Sequence, residues 1–329
     1  MTVRTDVPHL DEIQAPIRDR LDAVVDEIRR IVVSDFAPVE TVNEYLMKIR
    51  GKLFRPGLVL LCDELGGAPT ADAETLAAVL ELVHLATLVH DDAVDHSVLR
   101  RGMPTVNALW SHQVAIIMGD YLYTRSLMEI TRLGRLEPIQ VLANAANDMT
   151  VGEMRQLSSH DALDFGEADY YRLIDAKTAS LMAAACELGA LSGAPAYREP
   201  LKTFGRELGL AFQIADDLLD YTADSAVTGK PTGLDLREHK VTLPLIAVLP
   251  QLNADELARV HALFADPEPD DERIASVVEV VRAHGGLEFA RERALECAQR
   301  AHDALEGLPE GPALDALRDS IVYAVERRR

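Results

Sequence analysis

Along most of the chain apolar side chains return every third or fourth residue, as in Leu76, Val79, Leu80 and Val83, and again in Leu181, Ala184, Ala185 and Leu188. That spacing lines one face of a helix, whereas alternating runs bounded by turn residues, the mark of strands, are scarce. The pattern predicts an all-α protein. Breaks fall at GGAPTAD (66–72), SGAPAYREP (192–200), TGKPTGLD (228–235), ADPEPDDE (265–272) and GLPEGPA (307–313). None has the length of a flexible linker and no compositional boundary divides the chain, so one helical domain over residues 1–329 is expected.

Composition refines this picture in three places. Hydrophobic residues make up 48 % of the chain but aromatics only 5 %, which suits an aliphatic core. A net charge of −21 leaves no basic excess to displace counterions from a phosphate backbone, so no nucleic-acid partner is expected and any anionic ligand needs a local cationic cluster. Cys62, Cys186 and Cys297 lie far apart without metal-ligand spacing and read as reduced, buried thiols. The opening MTVRTDVPHLDEIQ lacks an apolar leader core, and no run is an uncharged membrane span, so a cytoplasmic protein is expected.

The chemistry concentrates in one recurrence. Asp91, Asp92 and Asp95 in VHDDAVDHSVLRRG return in type and spacing as Asp216, Asp217 and Asp220 in FQIADDLLDY. On a helix, residues four apart share a face, so the outer carboxylates of each triplet project together with the middle one beside them. Three like charges in one turn destabilise a helix unless a cation neutralises them, and hard oxygen donors suit magnesium bridging to phosphate. A single such triplet on an acidic protein would read as solvated surface. Two of them, each led in by an apolar run (LELVHLATLVHDD and LGLAFQIADDLLD), read instead as the walls of a cavity mouth. Arg100, Arg101, Lys52, Arg55, Lys177, Lys230 and Lys240 supply matching cations, so the expected substrate carries a diphosphate.

In these motifs and their order, the chain resembles the trans-prenyltransferases, the head-to-tail polyprenyl diphosphate synthases. GKLFRP, ELVHLATLVHDDAVDHSVLRRG, GDYLYTRS, GEMRQL, DAKTASL, FQIADDLLD and TGKPTGLDLREHK carry the likeness from about Gly51 to Lys240, with IVYAVERRR at the end. The resemblance implies an isoprenoid-synthase-type helical bundle around a central cavity, a homodimer, and transient membrane contact for product release. It implies Mg2+ on the two aspartate motifs, with Asp91 and Asp95 on one side and Asp216 on the other. Arg100, Lys177, Thr178, Gln213, Lys230 and Lys240 match contacts to an allylic diphosphate such as farnesyl or geranylgeranyl diphosphate; Lys52, Arg55, His84 and Arg101 match the isopentenyl diphosphate pocket. Gln156 matches a cavity-facing position, and Lys230 sits in a glycine-flanked loop that reads as a lid.

One helical turn back from Asp91 lies Thr87, beside Ala86, and then Val83 and Leu80 continue the face. Short-product relatives carry bulky aromatics near the first two positions; here both are small, so a long-chain product is expected, with Leu127 and Met128 as candidates for a deeper floor. Other readings are a geranylgeranyl or other short-chain synthase, one subunit of a two-component synthase, and a class I terpene cyclase. The cyclase leaves DDLLD and the cations Lys52 and Arg55 without a purpose. His90 and His96 read as packing or exposed residues rather than second donors to the first motif, and Tyr121 and Tyr123 as core.

Overall fold

The structure, a computed structural model, describes residues 7–49, 51–157, 162–222 and 233–326. The all-α expectation holds. In chain order the helices are α1 (Leu10–Ile13), α2 (Arg18–Val32), α3 (Ala37–Leu46), α4 (Phe54–Glu64), α5 (Ala71–Val94), α6 (Val106–Leu109), α7 (His112–Arg132), α8 (Leu136–Leu157), α9 (Glu167–Ile174), α10 (Ser180–Gly193) and α11 (Arg198–Thr222). Short helices Leu234–Arg237 and Leu243–Val248 lead to a C-terminal group at Ala254–Phe264, Asp271–Ala283, Gly286–Ala304 and Pro312–Glu326. The only strands among the described residues, β1 (Leu99–Arg100) and β2 (Met103–Pro104), form a hairpin just after the first aspartate triplet. Its turn is built by Arg101 and Gly102, both at positive φ, which matches the twist of a tight hairpin.

Two helices are apolar nearly all round and form the centre. In α10 every residue from Leu181 to Leu191 is buried, and in α5 the buried set includes Leu76, Val79, Leu80 and Val83. A helix without a polar face has to be surrounded; α10 packs on α4 and α11, and α5 on α2, α4 and α7. By length and composition α5 could cross a membrane, yet more than half of its most apolar stretch is buried inside the fold, as befits a core helix. At 24 residues it runs about 36 Å. It therefore carries its C-terminal Asp91 and Asp92 from the core to the rim.

Close helix contact depends on missing side chains. A Cβ on Gly189 of α10 would lie 2.2 Å from the Val59 carbonyl oxygen of α4, and one on Gly205 of α11 would lie 2.5 Å from the Met182 carbonyl oxygen of α10. Cys62, Cys186 and Cys297 are free and buried, as expected, the first two in contact between α4 and α10. Tyr121 packs against the core and donates its hydroxyl to the Val32 carbonyl, and Tyr123 packs there too. Gly189→Ala should lower stability by roughly 2–3 kcal/mol through overpacking against backbone, measured as a fall in thermal midpoint with no change in helix content at 20 °C.

Candidate active site

The two triplets end helices that approach each other from opposite sides of one space. Asp91 and Asp92 close α5, and Asp95 caps it, its amide donating to the Asp91 carbonyl at 2.8 Å. His96 then turns the chain with φ of 52°. Asp216, Asp217 and Asp220 all lie within α11. Lys177, in the next wall, acts on Asp91 and ion-pairs Glu153 at 2.5 Å; Lys240 is close enough to feel both Asp95 and Asp235. Asp235 in turn acts on Asp217, and Asp216 on Asp235. A chain of charges thus runs from one triplet to the other.

Within each triplet the members have different environments. The middle carboxylates are buried and taken up by protein. Asp92 accepts from Arg100 Nε at 2.8 and 2.9 Å and faces its Nη2 at 2.7 Å, which ties the hairpin to the end of α5. Asp217 accepts from the Tyr170 hydroxyl at 2.6 Å and from Gln213 Nε2 at 2.8 Å. Asp220 accepts from the amides of Leu234 and Asp235 at 3.1 and 3.0 Å, holding the start of the Leu234–Arg237 helix. Asp91, Asp95 and Asp216 remain only partly covered.

The wall bearing Lys177 and Thr178 is a single π-helical turn, Asp175–Ala179, between α9 and α10. Such bulges cost hydrogen-bond geometry and mark functional positions. Arg206 of α11 grips its first residue, donating from Nε to Asp175 at 2.6 Å. Thr178 donates its hydroxyl to Gln213 Oε1 at 2.7 Å, and Lys177 donates to Gln156 Oε1 at 2.9 Å. Gly152 of α8 leaves room, since a Cβ there would meet the Ala176 Cβ at 2.8 Å.

Burial and mutual repulsion make these carboxylates hard to ionise. Asp91 is pushed up to about 6 by desolvation, with Glu153 and Asp95 adding to the rise and Lys177 and Arg100 opposing it. Desolvation and the Asp235 charge push Asp217 up to about 8, and desolvation and Asp220 push Asp235 up to about 7. A positive charge among them would favour the ionised form, and every oxygen of this donor set is a hard one. A divalent cation of the magnesium or calcium type fits it.

A second basic cluster lies lower on α5, among elements near the N-terminus. Arg55 Nη1 of α4 donates to His84 Nε2 at 3.2 Å. Burial, with Arg55, Arg101 and Arg100 nearby, holds the His84 ring well below the ordinary imidazole value, so it is neutral and can accept. Arg101 reaches back over Gly51 and donates to the Ile49 carbonyl at 3.3 Å. Lys52 is exposed and donates to the Tyr323 hydroxyl at 3.4 Å, so the C-terminal helix closes on this cluster.

The structure brings together most of the residues singled out in the sequence: the six aspartates with Arg100, Lys177, Thr178, Gln213 and Lys240, and separately Lys52, Arg55, His84 and Arg101. Lys230 and its loop lie outside the described residues. Val83 and Ala86 are buried and Thr87 half-buried, its hydroxyl donating to the His84 carbonyl. Leu127 is half-buried and Met128 exposed. His90 contacts Ile116 and Asp120, and His96 contacts His112. Glu153, Asp235 and Tyr170 were missed; Glu153, one turn before Gln156, was the one signalled by helical spacing.

Such a helical bundle, with a carboxylate-lined space and two separate basic clusters, defines a protein that handles polyanions alongside a divalent cation. A family model described as polyprenyl synthetase matches residues 37–281. The chain is 37 % identical over 316 residues to a heptaprenyl diphosphate synthase component 2 of Geobacillus stearothermophilus, covering 94 % of this chain and 97 % of that one. Among solved structures it is similar to a polyprenyl synthase from Caulobacter crescentus CB15 complexed with calcium and isoprenyl diphosphate (TM-score 0.92, 33 % identity, 99 % and 100 % covered). It is also similar to a decaprenyl diphosphate synthase from Rhodobacter capsulatus (TM-score 0.91, 38 % identity, 98 % and 100 % covered). The chain belongs to the polyprenyl synthetase family and has its helical fold.

Arg100 holds a buried carboxylate while itself a third exposed. Arg100→Gln should therefore cost on the order of 2 kcal/mol, less than a fully buried pair would, measured by denaturant unfolding in the absence of metal and diphosphate.

Proposed function

We propose that the protein is a magnesium-dependent, head-to-tail prenyltransferase that condenses isopentenyl diphosphate with an allylic diphosphate, farnesyl or geranylgeranyl, and releases a long-chain polyprenyl diphosphate. The observation that carries the reading is the pairing of two aspartate triplets with two distinct basic clusters, one for each diphosphate. A cyclase, with a single diphosphate substrate, has no use for the second cluster.

In this reading Asp91, Asp95 and Asp216, the positions the family resemblance assigns to the metal, would hold Mg2+, while Asp92, Asp217 and Asp220 fix the walls that present them. Mg2+ held there would supply positive charge to a leaving diphosphate. Lys177, Arg100 and Lys240 contribute fixed positive charge to the same group, Lys230 is assigned with them, and Thr178 and Gln213 are oriented by their mutual hydrogen bond. Lys52, Arg55 and Arg101 hold isopentenyl diphosphate, with neutral His84 orienting Arg55, so that its double bond faces the allylic carbon; proximity supplies much of the rate. The new carbon–carbon bond leaves a cation that loses a proton, and the departed diphosphate is the base.

The small residues Ala86 and Thr87, with Val83 beyond, support the long product, as do the heptaprenyl and decaprenyl names of the similar proteins. Membrane contact and a cytoplasmic location belong to the same reading, since the product is an amphiphile made from soluble substrates. A homodimer is supported by exposed apolar residues: Ile116, Ile117 and Met128 on α7 with Leu136, Val151 and Leu157 on α8. Ile117 and Met128 are about three turns apart on one line of α7, and a patch of this kind is an interface feature.

Two measurements test this. The purified chain, given Mg2+, farnesyl diphosphate and labelled isopentenyl diphosphate, should make products longer than geranylgeranyl by mass spectrometry, and Ala86→Phe should shorten them. Products that stop at geranylgeranyl in the unaltered chain would refute the open floor, and the absence of condensation would point to a missing second component. Ile117→Asp should shift the particle from dimer to monomer in light scattering; a monomeric unaltered chain would remove the dimer.

A further inference from the structure

Glu81 lies on α5 one turn before His84, in the wall shared by Gly51, His84 and Arg101. Behind it the cavity is apolar, lined by Leu46, Met47, Leu85 and Leu88 among others. A carboxylate in such a wall is expensive to ionise, and desolvation does raise Glu81 above the ordinary value, with the charges of Arg55 and then Arg101 acting against the rise. The backbone at residue 51 shows how closely the groups meet. A Cβ added to Gly51 would lie 3.1 Å from Arg101 Nη1 and 3.3 Å from Glu81 Oε1.

A negative group beside a diphosphate pocket cannot bind the anion itself. It can act on the groups that do. Arg101 stands exposed at the tip of a two-residue turn, so a nearby negative charge bears on where its guanidinium points. His84 cannot supply that charge, being neutral and already accepting from Arg55. The Asp92 carboxylate cannot supply it either, being held by Arg100.

We propose that Glu81 is a positioning residue of the isopentenyl diphosphate pocket: its carboxylate, on α5 beside Gly51 and Arg101, aims the Arg101 guanidinium into the pocket, and Gly51 is small so that Arg101 and Glu81 can share the space beside it. This rests on the assignment of Arg101 to isopentenyl diphosphate made above, and deepens it by naming what orients that side chain.

The test is steady-state kinetics of the full-length chain with each substrate varied in turn, on the unaltered protein and on Glu81→Gln, Glu81→Asp, Gly51→Ala and Arg101→Ala. Glu81→Gln keeps the shape and removes the charge, and should raise KM for isopentenyl diphosphate about tenfold, the scale of one lost charge-assisted contact. KM for the allylic diphosphate should stay within about twofold, and kcat should fall less than KM rises. Glu81→Asp should recover part of the loss, and Gly51→Ala should move the same KM in the same direction. A merely structural Glu81 would instead lower the thermal midpoint and shift both KM values together, which overturns the proposal. If Arg101→Ala raises KM for isopentenyl diphosphate and Glu81→Gln does not, the proposal fails and the pocket assignment stands. If Arg101→Ala leaves that KM unchanged, the assignment fails and the proposal falls with it.

Discussion

The rest of the structure is organised around carboxylates held in too little water. Asp91, Asp217 and Asp235 are each raised well above the ordinary aspartate range by burial and by neighbouring carboxylates. Nothing in a helical core favours such a grouping; apolar residues there would be more stable. The molecule tolerates it by surrounding the group with specific partners. Tyr170 and Gln213 hold Asp217, Arg100 holds Asp92, two backbone amides hold Asp220, and Lys177 and Lys240 offset what remains.

That requirement explains several local oddities. The π-helical turn at Asp175–Ala179 interrupts the run from α9 into α10 where Lys177 and Thr178 face the acids, and the Arg206–Asp175 pair braces it. The β1–β2 hairpin, alone among helices, returns the chain so that Arg100 meets Asp92 while its neighbour Arg101 points to the other basic cluster. Adjacent arginines thus reach two different clusters because a hairpin turn sends them apart. Glycines between α4, α10 and α11 let the core helices touch backbone to side chain, which keeps the walls in fixed register.

Chemistry on this frame is a matter of charge placement more than of acid–base groups. Two polyanions must approach each other closely, and each needs its own cations and a dry wall between. The apolar length of α5 supplies that wall, with the basic cluster around His84 two to three turns below the aspartates at its C-terminal end. Because both sites hang on one rigid helix, their separation is set by its rise per residue and does not depend on loops.

The sequence by itself determined the helices, the repeated triplets, the basic residues that match them and hence the diphosphate chemistry, because these depend on period and spacing along one chain. It also carried the small residues Ala86 and Thr87 on the face below Asp91. What only the tertiary structure decided is which members of each triplet are claimed by other elements of the fold. Asp92 and Asp217 look equivalent to their neighbours in sequence, yet each is bound to a partner on another element, Arg100 in the hairpin and Tyr170 in α9. Asp220 caps a helix that begins fourteen positions later in the chain, at Leu234. Glu81 and Asp235 gave no signal stronger than any other acid on an acidic chain, since their meaning lies in which arginine or lysine folding brings beside them. Spacing along a helix can state which side chains point the same way, and only packing decides what they point at.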